Sequence, residues 1–76
     1  MRLYAGGYLT FYMPDQQPEV IRELVEPVAL CDLLMALGVP TAEVQLVLVN
    51  GEVADLDHTQ LHNHDVVKIF PGVDGG

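Results

Sequence analysis

The sequence predicts an α+β domain in which one main helix packs across a mixed sheet of four to five strands, and two patterns carry that prediction. Leu30, Leu33, Leu34 and Leu37 fall at i, i+3, i+4 and i+7, the single stripe of an amphipathic helix. Leu46-Val47-Leu48-Val49 runs into Asn50-Gly51, an apolar strand followed by two residues that readily take the positive φ of a tight hairpin. A chain of 76 residues buries only about 60% of its unfolded surface, so a helix on a single layer of sheet is the economical core.

Taken in order, Met1 to Ala5 reads as an opening strand, broken by Gly6-Gly7. Leu9, Phe11 and Met13 then alternate with Tyr8, Thr10 and Tyr12, which favours a strand from Tyr8 to Met13. Pro14 to Pro18 is a turn or loop whose two prolines remove backbone donors. Glu19 to Glu26 alternates Val20, Arg22 and Leu24 with Ile21, Glu23 and Val25, a strand closed by Pro27. From Val28 the period becomes helical, with Gly38 set to take the left-handed position after the last turn and Pro40 blocking continuation. Ala29 stands where Ser, Thr or Asp would accept an orphan amide, an omission worth about 1 kcal/mol.

Gln45 to Asn50 is apolar on both faces, the pattern of a strand in the middle of a sheet. Glu52 to Ala54 begins its return. Asp55 to His64 is polar, anchored by Leu56 and Leu61, and reads as a loop with a short helical turn. Asp65 to Phe70 is the last strand, with Val67 and Ile69 on one side and Val66, Lys68 and Phe70 on the other. Residues 1–71 are thus expected to form the domain and 72–76 a flexible carboxy-terminal tail.

An apolar fraction of 50% with 18% charged residues is a folding composition. Eleven acids face only Arg2, Arg22 and Lys68, and the net charge of −8 repels phosphate backbones and anionic lipid. Nucleic acid and membrane are therefore not expected as partners, and a basic protein surface is favoured. No apolar run approaches the roughly 20 residues that span a bilayer. Leu3 to Met13 is followed by Pro14-Asp15 in place of a small-residue cleavage site, so the expected setting is the cytoplasm. A single cysteine, Cys31, cannot form an internal disulfide, and among Leu30, Leu33 and Leu34 it is expected as a buried structural thiol.

Two features carry chemistry. Gly75-Gly76 closes the sequence with a thin, extended thread able to enter a narrow slot, which makes the carboxylate of Gly76 the candidate reacting group. His58, His62 and His64, flanked by Asp57 and Asp65, form the other cluster; His58 and His62 would share a face if that segment were helical, a pair that suits zinc or nickel. Their spacing matches no recognised finger and polar loops collect histidines readily, so no metal site is assigned. There is no Ser-His-Asp arrangement, phosphate-binding glycine loop or catalytic carboxylate pair with a pocket. An enzyme acting alone is not expected.

Val47-Leu48-Val49-Asn50-Gly51, Asp55-Leu56-Asp57, Asn63-His64-Asp65-Val66-Val67, Phe70-Pro71 and Gly75-Gly76 resemble the sulfur-carrier family that includes the small subunit of molybdopterin synthase and the thiamine-pathway carrier. Leu3-Tyr4-Ala5 and Cys31-Asp32-Leu33-Leu34-Met35-Ala36-Leu37-Gly38 fit the same pattern, which covers nearly the whole chain. The resemblance implies the β-grasp, or ubiquitin-like, fold, and Phe70-Pro71 resembles the molybdopterin branch. Gly72 departs from that branch, which usually has a second proline there, and Ala29 and His64 stand where the family commonly has threonine and glycine.

The resemblance further implies that Gly76 is adenylated with ATP by a ubiquitin-activating-type adenylyltransferase and converted to a thiocarboxylate, which donates sulfur inside a synthase large subunit. No permanently bound cofactor is implied, and every catalytic group belongs to partners. Gly75 would let the tail thread, while Tyr4, Lys68, Phe70 and Pro71 would meet the partner. For Phe70 two placements are open, an exposed docking position or a packed one under its own loop. Other roles also fit: a thiamine-pathway carrier, a ubiquitin-like modifier of target lysines, or a non-covalent interaction module.

Overall fold

The computed structural model describes residues 1–72. In chain order its elements are β1 (Arg2–Ala5), β2 (Glu19–Ile21), β3 (Val28–Ala29), α1 (Leu30–Leu37), β4 (Val44–Val49), β5 (Glu52–Val53), β6 (Gln60–Leu61) and β7 (Val66–Pro71). Five strands form one mixed sheet in the order β2-β1-β7-β4-β5, with β1 and β7 parallel and the other neighbours antiparallel. One helix on a five-stranded mixed sheet is the expected α+β, ubiquitin-like β-grasp architecture.

The leucine stripe does what its spacing dictates. Leu30 and Leu34 are completely buried and Leu33 nearly so, against Leu3 and Ala5 of β1, Val47 of β4 and Val67 and Ile69 of β7. Each such side chain withdrawn from water contributes about 1.5–3 kcal/mol. Gly38 takes the left-handed position (φ 91°), and the amide of buried Val39 returns to the Leu34 carbonyl at 2.9 Å. Ala29 precedes the helix in extended conformation and makes no side-chain cap. Asn50 and Gly51 both have positive φ, 53° and 86°, and turn β4 into β5 as the hairpin requires.

Four segments differ from expectation. Residues Gly7–Tyr12 form a 3-10 helix, not a strand. Leu9 and Met13, four apart, go into the core while Phe11, midway between them, is 69% exposed and sets its ring edge-on to Tyr12. The alternation that suggested a strand grouped Phe11 with Leu9 and Met13, but Phe11 lies outside while Tyr12 packs against the core. The strand expected from Glu19 to Glu26 ends at Ile21, although Arg22 still exchanges hydrogen bonds with Met1, its amide donating to the Met1 carbonyl at 2.9 Å and its carbonyl accepting from the Met1 amino group at 2.7 Å. The Leu24 amide is taken instead by Asn63 Oδ1 at 2.7 Å, and Val25 points into solvent.

The loop expected from Asp55 to His64 contains β6, which pairs with β3 in front of the helix, Val28 opposite Leu61 and Ala29 opposite Gln60. Leu61 is fully buried and Leu56 half-buried, the two anchors foreseen. β4 also departs from the pattern of a fully covered strand. Val44, Val47 and Val49 face the core, whereas Leu46 lies 40% exposed on the other side of the sheet.

Candidate functional site

Sheet register fixes which side chains share the face that α1 leaves uncovered. Tyr4 pairs with Glu19 on one side and Lys68 on the other, Lys68 pairs with Leu48, and Leu48 with Val53. Side chains paired across strands point the same way, so Glu19, Tyr4, Lys68, Leu48 and Val53 form one row across all five strands. Beside it lie Leu46 opposite Phe70, and Ile21, Arg2 and Val66 in line. Leu3, Val67 and Ile69 point oppositely and are completely buried. This uncovered face is therefore apolar, with a few charges set into it.

Tyr4, Ala5, Gly6, Lys68 and Phe70 line a surface hollow of 370 Å³ on this face. Three of the residues expected to meet a partner, Tyr4, Lys68 and Phe70, are thus brought together, and Pro71 follows at the end of β7. Phe70 combines its two expected placements, being half-buried against the Gly6 corner while bordering the open hollow. Lys68 has no ion pair among the described residues, whereas Arg2 Nε lies 2.7 Å from Glu19 Oε2. Gly72 sits beside the Gln45 side chain. Gly75 and Gly76 lie outside the described residues.

The histidines do not assemble. His58 Nδ1 meets Asp55 Oδ2 at 2.7 Å, His62 Nδ1 lies 3.5 Å from Asp65 Oδ2, and neither residue is in a helix. Among the described residues no three His, Cys, Asp or Glu side chains converge as a metal ion would need. The hydrogen bond to Asp55 raises His58 above its ordinary value, and the same bond, with the Asp57 amide, lowers Asp55. Partial burial works to raise Asp65, but hydrogen bonds from the His62 amide and the Asn50 side chain outweigh it and leave its carboxyl below the usual range.

Cys31 is half-buried, not buried, with Sγ 3.2 Å from the Leu56 carbonyl oxygen. Partial desolvation, then the neighbouring Asp57 carboxylate, pushes its thiol above the ordinary value, which disfavours the reactive thiolate.

The family model described as Mut7-C ubiquitin matches residues 2–74. The chain belongs to the Mut7-C ubiquitin family. This bears out the ubiquitin-like β-grasp family expected from the motifs. No curated protein matches the chain. The Mut7-C ubiquitin match takes in every strand of the sheet and stops short of Gly75-Gly76. No helix among the described residues is long and apolar enough to cross a membrane.

Sequence reasoning set Val66 on the same side as Lys68 and Phe70 but missed Leu46, Leu48, Ile21 and Val53 as parts of the open face. For Leu46 and Leu48 the signal was the second apolar side of β4, read as interior because a two-sided apolar strand is usually covered twice. It also missed Gly6, whose place against Phe70 no local pattern encodes.

Proposed function

We propose that this chain is a sulfur carrier, not an enzyme, acting through the carboxylate of Gly76. The observation that supports it is the hollow at Tyr4, Lys68 and Phe70: the last strand crosses an apolar docking face and ends at Pro71, five residues before Gly76. A partner seated on that face has the carboxy end within reach. The carboxylate is a poor acyl donor, so an oxygen of Gly76 attacks the α-phosphorus of ATP in a ubiquitin-activating-type enzyme, and pyrophosphate leaves. Hydrosulfide then attacks the acyl carbon, the bond from that carbon to the phosphate oxygen breaks to release AMP, and loss of the proton leaves a thiocarboxylate. A synthase large subunit consumes that sulfur, and Phe70-Pro71 favours molybdopterin as the product.

Gly75 and Gly76 have a physical reason in this scheme, since a side chain at either would collide with a narrow channel, and misplacement by about 1 Å can cost on the order of 100-fold in rate. Gly75→Ala slows activation markedly and deletion of Gly76 abolishes it, with folding unchanged, in an ATP-dependent thiocarboxylate assay. Normal product from the deletion variant contradicts the proposal.

A second reading is a non-covalent interaction module that uses the same face. It is favoured by the family match, which ends at residue 74 and leaves Gly75-Gly76 outside. Under that reading the partner binds and Gly76 stays unmodified.

A further inference from the structure

We infer that Gly6 is a positioning residue for docking: by lacking a Cβ it admits the Phe70 ring to the β1 corner and so sets the wall of the hollow beside Lys68. The inference rests on the carrier reading for its consequence, but not for its contact. An ideal Cβ at Gly6 would stand 2.5 Å from Phe70 Cδ1, 2.8 Å from Cε1 and 3.4 Å from the Ile69 carbonyl oxygen. The first two are closer than carbon atoms pack, where contact is about 3.5–4.0 Å. With any side chain at position 6, either the ring or the backbone must move.

The backbone is the less free of the two. The Gly6 amide donates to the Ile69 carbonyl at 2.8 Å, and its own carbonyl accepts from the Leu9 amide at 3.1 Å. Leu9 is completely buried and Thr10 Oγ1 holds the Ala5 carbonyl at 3.0 Å, so both flanks of Gly6 are tied to the domain. Phe70 is half-buried and borders the hollow, with room to swing. The neighbouring residue repeats the arrangement: a Cβ at Gly7 would stand 2.9 Å from Pro71 Cγ. The Gly6-Gly7 corner is thus shaped around the two residues at the end of β7.

Gly6 is also a clean probe. Its φ of −86° and ψ of 162° are ordinary extended values, so alanine adds the steric contact without backbone strain. Gly7, at φ 54°, would confuse the two effects.

The test is a double-mutant cycle of Gly6→Ala and Phe70→Ala with two readouts. In thermal unfolding, Gly6→Ala lowers the midpoint of the wild-type chain and fails to lower it in the Phe70→Ala background, where the obstructing ring is gone. An equal shift in both backgrounds overturns the contact. The second readout is the rate of thiocarboxylate formation on Gly76, followed by intact mass in a lysate of the cells of origin supplied with ATP and sodium sulfide. Gly6→Ala lowers the rate on the order of tenfold at limiting carrier, saturating carrier restores it, and the double variant is no slower than Phe70→Ala. A wild-type rate for Gly6→Ala, or losses that multiply, overturns the positioning role. A wild-type chain that stays unmodified overturns the carrier reading and with it the positioning role, while the unfolding cycle still decides whether Gly6 sets the ring.

Discussion

Tyr4 and Lys68 stand opposite each other in the parallel register of β1 and β7, on the sheet face that the helix leaves bare. Lys68, without an ion pair among the described residues, thus lies beside an aromatic side chain at the edge of the hollow, on the surface that the proposed docking would use.

Tyr4→Ala should therefore separate docking from folding. Tyr4 is 36% exposed, so its cross-strand contacts contribute roughly 0.2–1 kcal/mol to stability. Partner affinity should fall by about 2 kcal/mol, the loss typical of a central aromatic anchor. Calorimetric titration with the activating enzyme, set beside urea unfolding, makes the comparison. Equal affinity for the two chains would remove Tyr4 from the interface.

Asn50 adds a side-chain stitch between the hairpin turn and the last strand, beside the β4–β7 ladder. Its Nδ2 donates to Asp65 Oδ1 at 3.0 Å, its Oδ1 accepts from the Val66 amide at 2.9 Å, and its φ is 53°. Asn50→Ala should cost about 2–4 kcal/mol, from the left-handed backbone and the lost bonds together. Asn50→Gly keeps the turn and should cost less. A urea series showing the two variants equally stable would contradict this assignment.

Asp65 links the same stitch to pH. Its carboxyl is held below its ordinary value, so the folded chain binds the proton less readily than the unfolded one. The stabilisation is present above the ordinary carboxylate value and is lost as pH falls through the lowered folded value. Asp65→Asn should accordingly be costly near neutral pH and nearly free in acid, measured as the gap between urea midpoints. His58, whose value is raised, works in the opposite sense: its contribution is full below the ordinary histidine value and fades as pH rises through the folded one. A gap for Asp65→Asn that does not change with pH would refute the linkage.

Ala29→Ser should stabilise the chain by about 1 kcal/mol by giving α1 the cap it lacks. A thermal midpoint at or below that of the wild type would show that pairing of Ala29 with Gln60 leaves no room for the cap.

Legibility followed the range of the forces. The helix and the Asn50-Gly51 hairpin are encoded within a few residues, so period and turn chemistry located both. The turn of the chain after β2 and the pairing of β6 depend on residues far away in sequence, Asn63 for the Leu24 amide and Val28 for Leu61, and no window around Val25 or Gln60 records that. Tyr8 to Met13 misled because Phe11 was grouped with Leu9 and Met13, although it is exposed while Tyr12, from the other side of the alternation, packs against the core. For the candidate site, Tyr4, Lys68 and Phe70 were legible from strand alternation and family motifs together. Leu46 and Leu48 were visible as apolar but not as uncovered, and the Gly6–Phe70 contact spans nearly the whole chain.

The most direct measurement is the intact mass of the protein isolated from its own cells. The account predicts a fraction ending at Gly76 and heavier than the unmodified chain by the difference between sulfur and oxygen. Only unmodified Gly76, in cells that hold the activating enzyme, would contradict it.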